Sequence, residues 1–260
     1  MTKPITAVAT LIAEEMGLLS IEDKISKHIP EMANLSVGEI VDGKVVFKEK
    51  AQREITIKDI LTHSSGLGSL EVGNYYFGTR TIPKTLKEAV DEYKNWHLDF
   101  QPGKRQFYSA VVALDVVARI IEIVSKQSYQ EFLRKYLFDP LEMKDTTYKL
   151  KKNQVKRLVD MYNLNPDQKG YTYLDFGTKG FDCFEEGFPS GTAGLFSTFD
   201  DYMNFTIMLA SNGVFKGYRI LTEKSVEKLR SPALSKDVEG VTDTFNWGLS
   251  VYVRGDNAPW

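Results

Sequence analysis

The stretch Gln101-Pro102-Gly103-Lys104-Arg105-Gln106-Phe107-Tyr108-Ser109-Ala110 leads into a nearly apolar segment of the chain. Pro102-Gly103 predicts a turn, after which Tyr108 arrives at the entrance of a helix. The apolar residues of that helix recur at helical spacing, as Val112, Val116, Ile120 and Ile123, and its main polar breaks are Asp115, Arg119 and Glu122. A helix that is apolar on almost every side is normally buried, so we expect Tyr108 to be mounted on a rigid interior element. By itself, the same pattern is typical of a core helix that happens to begin near a tyrosine.

The composition of the chain is that of an ordinary soluble protein. Its 260 residues suit one large domain or two small ones, and 42% are hydrophobic while 26% are charged. The formal net charge of −2 gives no reason to expect nucleic acid or an anionic membrane as a partner. No apolar run is long enough to span a bilayer, and no signal peptide is expected in this chain. The compartment and the oligomeric state stay open.

Metal and disulfide chemistry are not expected. The single cysteine, Cys183, excludes an internal disulfide and a cysteine-rich metal site. The three histidines, His28, His63 and His97, are far apart in sequence and do not have the spacing of a zinc site. We therefore predict no metal and no cofactor.

The start of the chain predicts a second buried helix. Met1-Thr2-Lys3-Pro4 precedes a helical stripe of apolar residues, namely Ile5, Val8, Ile12 and Met16. Pro4 suits a first helical turn and Gly17 suits a C-terminal cap, so the predicted helix runs from residue 4 to about residue 17. Outside any wider context, Lys3 is typical of a solvent-facing lysine at a helix start.

Two other segments have distinctive sequences. Residues 55–67 read ITIKDILTHSSGL, which predicts a short capped helix ending in a Ser/Gly turn. Residues 189–198 read PSGTAGLFST, whose small residues allow close approach to neighbouring backbone before a helix over 199–211. His63 directly precedes two serines, but adjacent residues cannot readily orient a base onto a nucleophile. We therefore interpret His63 as structural, holding the loop through its ring nitrogens.

In order and number, these segments resemble the serine β-lactamase and penicillin-binding-protein superfamily, and most closely its class C-related esterases and β-lactamase-related serine hydrolases. The resemblance implies an α+β fold of the β-lactamase/transpeptidase type, in which an antiparallel sheet packs on a helical region. The present chain is expected to supply mainly the helical region, with much of the sheet missing. Residues 1–260 are accordingly expected to form a single incomplete domain, truncated at both ends relative to the family.

The resemblance also implies the site residues. The family's first motif is S-x-x-K, and Met1-Thr2-Lys3 matches its last three positions, so the serine is expected directly before Met1. The second motif, Y-x-N, reads Tyr108-Ser109-Ala110, and the third, K-x-G or H-x-G, does not occur. Lys3 and Tyr108 are therefore the expected catalytic residues, and Ala110 and Trp247 the expected substrate-binding residues.

The implied function is that of a serine hydrolase acting on small-molecule carboxylic esters through an acyl-enzyme, with β-lactams or peptides as further candidate substrates. Without its nucleophilic serine, the 260-residue chain is expected to be inactive. The alternative is a non-catalytic β-lactamase-like binding or interaction protein. A third idea, Thr2 as an N-terminal nucleophile, has little support because nothing else in the sequence resembles that class.

The remaining patterns predict connecting structure. Asp42-Gly43 lies between two strand-like runs and predicts a hairpin. We expect loops over 69–83 and 163–190, a helix over 85–96 and a strand over 247–253. Because the two apolar helices would lack the sheet that covers them in the family, we also expect exposed apolar surface and association.

Overall fold

The computed structural model describes residues 1–81, 83–110, 112–174 and 188–255. Cys183 and residues 175–187 of the predicted long loop lie outside these ranges.

Nine helices lie within the described residues. They are α1 (Thr2–Glu15), α2 (Ile57–Leu61), α3 (Glu71–Thr79), α4 (Leu86–Tyr93), α5 (Ala113–Ser125), α6 (Tyr129–Leu133), α7 (Lys152–Val155), α8 (Phe199–Ala210) and α9 (Glu223–Arg230). A π-helical turn over Arg134–Phe138 continues α6, and short 3₁₀ turns cover Ile25–Lys27 and Pro30–Met32.

The strands of the described residues form four separate antiparallel pairs. These are β1 (Ser36–Val41) with β2 (Lys44–Lys50), β3 (Met161–Leu164) with β4 (Tyr171–Leu174), β5 (Val214–Phe215) with β6 (Tyr218–Arg219), and β7 (Phe245–Trp247) with β8 (Tyr252–Arg254). The β1–β2 hairpin confirms the turn predicted at Asp42-Gly43, where both residues have positive φ angles. Helices with small antiparallel sheets agree with the predicted α+β class and its partial sheet.

The core is built around α1 and α5, which pack against each other, while α2, α4 and α6 surround α5. All residues of α1 from Thr2 to Ala13 are buried except Pro4, and so are most residues of α5. The expectation that these two helices expose much apolar surface is therefore wrong for the described residues. Their stripes are covered by the other helices rather than by a large sheet.

The start of α1 differs from the prediction. The helix begins at Thr2, so Lys3 lies in its first turn and is buried together with the residues that follow. The helix thus begins two residues earlier than predicted. Lys3 and Thr6 lie on one face of it, since residues three apart are neighbours on a helix.

Residues 69–83 contain a helix, α3, where a loop was predicted. The Asp99 carboxylate accepts hydrogen bonds from the backbone N–H groups of Ser69, Val72 and Gly73, at 2.9–3.1 Å. An acidic group at the N-terminus of a helix satisfies its unpaired amides and favours its dipole. The stabilising partner is 26–30 residues away in sequence, which is why the local sequence did not indicate the helix.

Two further predictions about loops and strands are wrong in part. The polar stretch after residue 163 contains the end of the β3–β4 hairpin, with its turn over Asn165–Gly170. The strand predicted over 247–253 is interrupted, because Gly248–Val251 turns between β7 and β8. Ser250 has a φ of 59° there, and both its N–H and its hydroxyl donate to the carbonyl of Leu61. A contact with α2 thus decides the turn.

No helix among the described residues is both long enough and apolar enough to cross a membrane.

The position of α5 in the core leads to a stability prediction. Ile120→Ala, at a fully buried position, is expected to lower the free energy of unfolding by about 2–5 kcal/mol because it leaves a cavity. The matched control is Ile207→Ala on α8, where the side chain is 43% exposed and the expected loss is below about 1 kcal/mol. Urea titration followed by circular dichroism measures both. Equal losses for the two variants would show that α5 is not at the centre of the core.

Candidate active site

Lys3 is a buried cation held by two backbone carbonyls. Its Nζ donates to the carbonyl of Ala110 at 2.8 Å and to that of Thr192 at 3.2 Å, and its residue is only 7% exposed. Burial lowers the pKa of the amine from 10.5 to about 8, and the charge of Asp115 opposes part of this shift. At mildly alkaline pH, a substantial fraction of this amine is therefore neutral and able to accept a proton.

Tyr108 lies beside this amine. Lys3 Nζ is 4.7 Å from the centroid of the Tyr108 ring, within the range of a cation–π contact. The tyrosine is 45% exposed, and burial of the remainder raises the pKa of its phenol. The structure thus brings the two predicted catalytic residues together from positions 105 residues apart in the chain.

The two predicted substrate-binding residues border the same cluster. Trp247, on β7, stacks on the Tyr108 ring with a centroid distance of 5.9 Å and an interplanar angle of 12°. Ala110 is exposed, and its carbonyl rather than its side chain contacts Lys3. An aromatic wall next to a half-exposed phenol can bind an apolar group of a ligand.

His63 supports this arrangement from beneath. Its carbonyl accepts from the Phe107 N–H at 2.9 Å, and its Nδ1 accepts from the Ser109 N–H at 3.3 Å. Its ring also packs against the rings of Tyr108 and Trp247, at centroid distances of 4.6 Å in each case. The interpretation that His63 holds a loop through its ring nitrogens applies to Nδ1 alone, because Nε2 has no hydrogen-bond partner, and the segment that Nδ1 contacts is the one that carries Tyr108.

The serines next to His63 have other partners. Ser64 Oγ is within hydrogen-bond distance of Thr62 Oγ1 and the Asp59 carbonyl, and Ser65 Oγ accepts from the Leu67 N–H. Since the acceptor role of His63 Nδ1 assigns the ring proton of the neutral form to Nε2, the ring is not oriented as a base toward either serine.

Sequence reasoning missed Asp115, Ser190 and Thr192. Asp115 was noted only as a polar break in an apolar helix, and residues 189–198 only as a close-packed loop. In the structure, Asp115 is buried beneath the site, where its carboxylate accepts from Ser190 Oγ and from the Thr192 N–H. An acidic residue within an otherwise apolar helix was the available signal, because a buried carboxylate requires hydrogen-bonding partners.

The unpaired polar atoms of the described residues also gather here. His63 Nε2, Thr192 Oγ1 and Trp247 Nε1 are the only buried side-chain nitrogen or oxygen atoms of that part of the chain without a hydrogen-bond partner. Buried polar groups without partners carry a free-energy cost, and such exceptions in native proteins often accompany functional sites. Within the same residues, no group of three or more His, Cys, Asp or Glu side chains could hold a metal ion.

The burial of His63 predicts an acid-dependent loss of stability. Desolvation and the charge of Lys3 lower the pKa of this imidazole from 6.5 to about 3. As the pH falls from 6.5 to about 4.5, the unfolded chain binds a proton at His63 while the folded chain does not, so stability decreases. We expect this group to account for about 2 kcal/mol of the loss over that interval.

The variant His63→Asn tests this, since asparagine tolerates the left-handed φ of 57° at this position. Its free energy of unfolding should be lower than wild type at pH 7 and should fall less steeply between pH 6.5 and 4.5. Urea titrations at several pH values give both slopes. Parallel slopes for the two proteins would mean that His63 is not held neutral in the folded state.

Comparisons with known proteins agree with this architecture. The structure of simvastatin synthase from Aspergillus terreus matches with a TM-score of 0.78 at 20% sequence identity, covering 97% of this chain and 67% of that chain. At this identity the match shows the fold, and it confirms the predicted β-lactamase/transpeptidase-like class.

Two curated relatives match at higher identity. An uncharacterized protein of Mycobacterium tuberculosis is 29% identical over 243 residues, which cover 91% of this chain and 59% of that protein. Lovastatin esterase of Penicillium rubens is 31% identical over 228 residues, which cover 81% of this chain and 54% of the esterase. The chain thus spans little more than half the length of these relatives.

The family profile described as Beta-lactamase matches residues 1–259, which is almost the entire chain. It includes both segments that meet at the site, the first turn of α1 and the stretch before α5. The chain therefore belongs to the Beta-lactamase family, whose members include serine hydrolases, esterases and acyltransferases.

Proposed function

We propose that this protein is a serine hydrolase or acyl-transferring enzyme that acts on small-molecule carboxylic esters through an acyl-enzyme. The observation that carries the proposal is the buried Lys3 amine, with its pKa lowered to about 8, placed against Tyr108. A general base works best when its pKa is near the working pH, and Lys3 meets that condition. In this proposal residues 1–260 are part of a single domain that is longer at both ends.

The nucleophile in this proposal is a serine directly before Met1. Residues three apart face the same side of a helix, so a serine at that position would share a face with Lys3. Lys3 accepts the serine proton as the serine oxygen bonds to the ester carbonyl carbon, and a tetrahedral oxyanion forms. The Lys3–Tyr108 pair returns the proton to the departing alcohol oxygen. Water then attacks the acyl-enzyme in the same way and releases the acid.

The substrate class rests on the walls of the site and on the relatives. Tyr108 and Trp247 present stacked aromatic surface, which suits an apolar acyl group. Ala110 has no side-chain amide, whereas an asparagine there could donate a hydrogen bond to the acylamino group of a β-lactam. The name of the relative lovastatin esterase agrees with an ester substrate. These points favour esters over β-lactams and peptides.

A second candidate is a non-catalytic protein that keeps the fold and binds a ligand. The observation that favours it is Ala110, which stands where the Y-x-N motif has its asparagine. Covalent labelling separates the two candidates.

We expect one serine added directly before Met1 to react with a fluorophosphonate probe, because Lys3 can accept its proton. The matched control carries an added alanine, and neither this control nor the unextended chain should be labelled at that position or hydrolyse p-nitrophenyl butyrate. Intact-mass and peptide mass spectrometry locate the adduct. Equal labelling of the serine-extended and alanine-extended proteins, with both cooperatively folded, would favour the second candidate, a non-catalytic binding protein.

The same serine protein should show the titration of Lys3. Its labelling rate is expected to rise with pH with a midpoint near 8, since only the neutral amine accepts a proton. Lys3→Met should lower the rate about 10²–10⁴-fold, the usual contribution of a general base, and remove the midpoint. A full rate with Lys3→Met would place the base elsewhere.

Substrate preference gives a further test, made with the longest gene product that contains this chain. It should hydrolyse short-chain p-nitrophenyl esters and be poor on penicillins and cephalosporins. Ala110→Asn should raise kcat/KM for the lactams relative to the esters by about tenfold, the value of roughly one charge-neutral hydrogen bond. The matched control is Lys152→Asn, at an exposed position on α7. Ala113→Asn would be unsuitable because Ala113 is buried in α5. An unchanged ratio would show that position 110 does not contact the substrate.

A further inference from the structure

Asp115 is a carboxylate buried in the core with a complete set of partners. One oxygen accepts from Ser190 Oγ at 2.6 Å and from the Thr192 N–H at 3.2 Å, and the other accepts from the Tyr93 hydroxyl at 3.1 Å. The residue is 1% exposed. Burying a carboxylate costs several kcal/mol unless such bonds compensate, so an aliphatic residue would fill this helix position at lower cost. The position of Asp115 calls for a role outside simple packing.

Two of the partners of Asp115, Ser190 and Thr192, belong to a tight turn over Ser190–Ala193. Ser190 Oγ donates to Asp115 and accepts from the N–H groups of Thr192 and Ala193, at 3.1 and 3.2 Å. Gly191 lies directly on α5, and a Cβ at this position would collide with the Leu114 carbonyl. The turn therefore packs directly against α5 next to Asp115.

The other side of the same turn faces α1. The Thr192 carbonyl accepts from Lys3 Nζ at 3.2 Å, and the Gly191 carbonyl accepts from the Thr6 hydroxyl. Thr6 lies three residues after Lys3, on the same face of α1. A continuous chain of hydrogen bonds thus runs from the Asp115 carboxylate through the turn to the Lys3 amine.

We propose that Asp115 is a positioning residue for Lys3. Its carboxylate fixes the Ser190–Ala193 turn, and this turn fixes the Lys3 amine against Ala110 and Tyr108. The inference rests on the proposed role of Lys3 as the base. Ala110 alone would leave one hydrogen bond to the amine, and a lysine with a single carbonyl partner can rotate away from it. The second carbonyl, from Thr192, defines its direction.

Several charged or titratable groups act on this pair and belong in any account of its titration. Lys3 faces the Met1 α-amine, the His63 ring, the Tyr108 phenol and Asp115. Asp115 faces the phenols of Tyr93, Tyr129 and Tyr148, and Arg80 donates to the Tyr93 hydroxyl at 3.2 Å. Glu92 is a second carboxylate that acts on Tyr93, whereas the charge of Asp115 acts on Lys3 itself and raises its pKa against the effect of burial.

Two variants separate the positioning effect from the charge effect. Ser190→Ala removes the hydroxyl that joins the carboxylate to the turn but keeps the charge of Asp115. Asp115→Asn removes the charge but keeps an oxygen that can accept from Ser190 Oγ and from the Thr192 N–H. Matched controls are Ser211→Ala, at the end of α8, and Asp91→Asn, on α4, neither of which contacts the site.

The readouts are the pH dependence of Lys3 acetylation by acetic anhydride, followed by peptide mass spectrometry, and amide hydrogen exchange of the peptide that contains Thr192 and Ala193. Ser190→Ala should speed the exchange several-fold and move the acetylation midpoint upward from about 8, because the freed amine reaches water. Asp115→Asn should leave exchange nearly unchanged and move the midpoint downward, because an attractive charge is lost. Both controls should match wild type.

The outcomes are decisive in both directions. Wild-type exchange and midpoint in Ser190→Ala would overturn the role of the turn, and a wild-type midpoint in Asp115→Asn would overturn the influence of the carboxylate. Thermal unfolding establishes that each variant is folded, and Ser190→Ala by itself carries the test if Asp115→Asn does not fold. Neither readout requires turnover, so these shifts can be observed even if no serine adduct ever forms. Conversely, a labelled serine with unshifted midpoints would overturn only this inference.

Discussion

The pair of hydrogen bonds from the Lys3 amine to the backbone carbonyls of Ala110 and Thr192 is the constraint on which the site depends. It joins the first turn of α1 to residue 110 and residue 192, three segments that are distant in sequence. An ammonium group can be buried only where such oxygens receive its protons, because desolvation otherwise penalises the charged form. The helices must therefore pack so that α1, the segment before α5 and the Ser190–Ala193 turn meet at one point.

The buried groups around Lys3 balance one another electrically. Desolvation alone would push the amine further toward its neutral form, and Asp115 limits that shift through its negative charge. His63 stays neutral, since burial and the nearby ammonium both lower its pKa. The result is one buried cation, one buried anion and a neutral imidazole, a combination that keeps the pKa of the amine close to the pH at which it can serve as a base.

Close backbone approach is the other requirement of this arrangement. His63 adopts a left-handed conformation in which its carbonyl accepts from the Phe107 N–H and its ring from the Ser109 N–H, so that both contact the segment that carries Tyr108. Gly191 allows the turn to lie on α5 without a collision. The site is thus formed where the backbone, rather than long side chains, defines the distances, which suits a catalytic group that must be held rigidly.

The sequence by itself determined the family, the α+β class, the β1–β2 hairpin and the meeting of Lys3 with Tyr108. The hairpin follows from a local turn signal, whereas the family, the α+β class and the pairing of Lys3 with Tyr108 are what the resemblance of several short motifs to the serine β-lactamase superfamily implies. Only the tertiary structure decided that α3 is a helix, that a turn interrupts residues 247–253 between β7 and β8, and that Asp115 lies beneath Lys3. Each of these depends on a partner far away in sequence: Asp99 for α3, Leu61 for the turn at Ser250, and Ser190 with Thr192 for Asp115. Hydrogen bonds between such distant segments form only when the chain packs, and no local pattern encodes them.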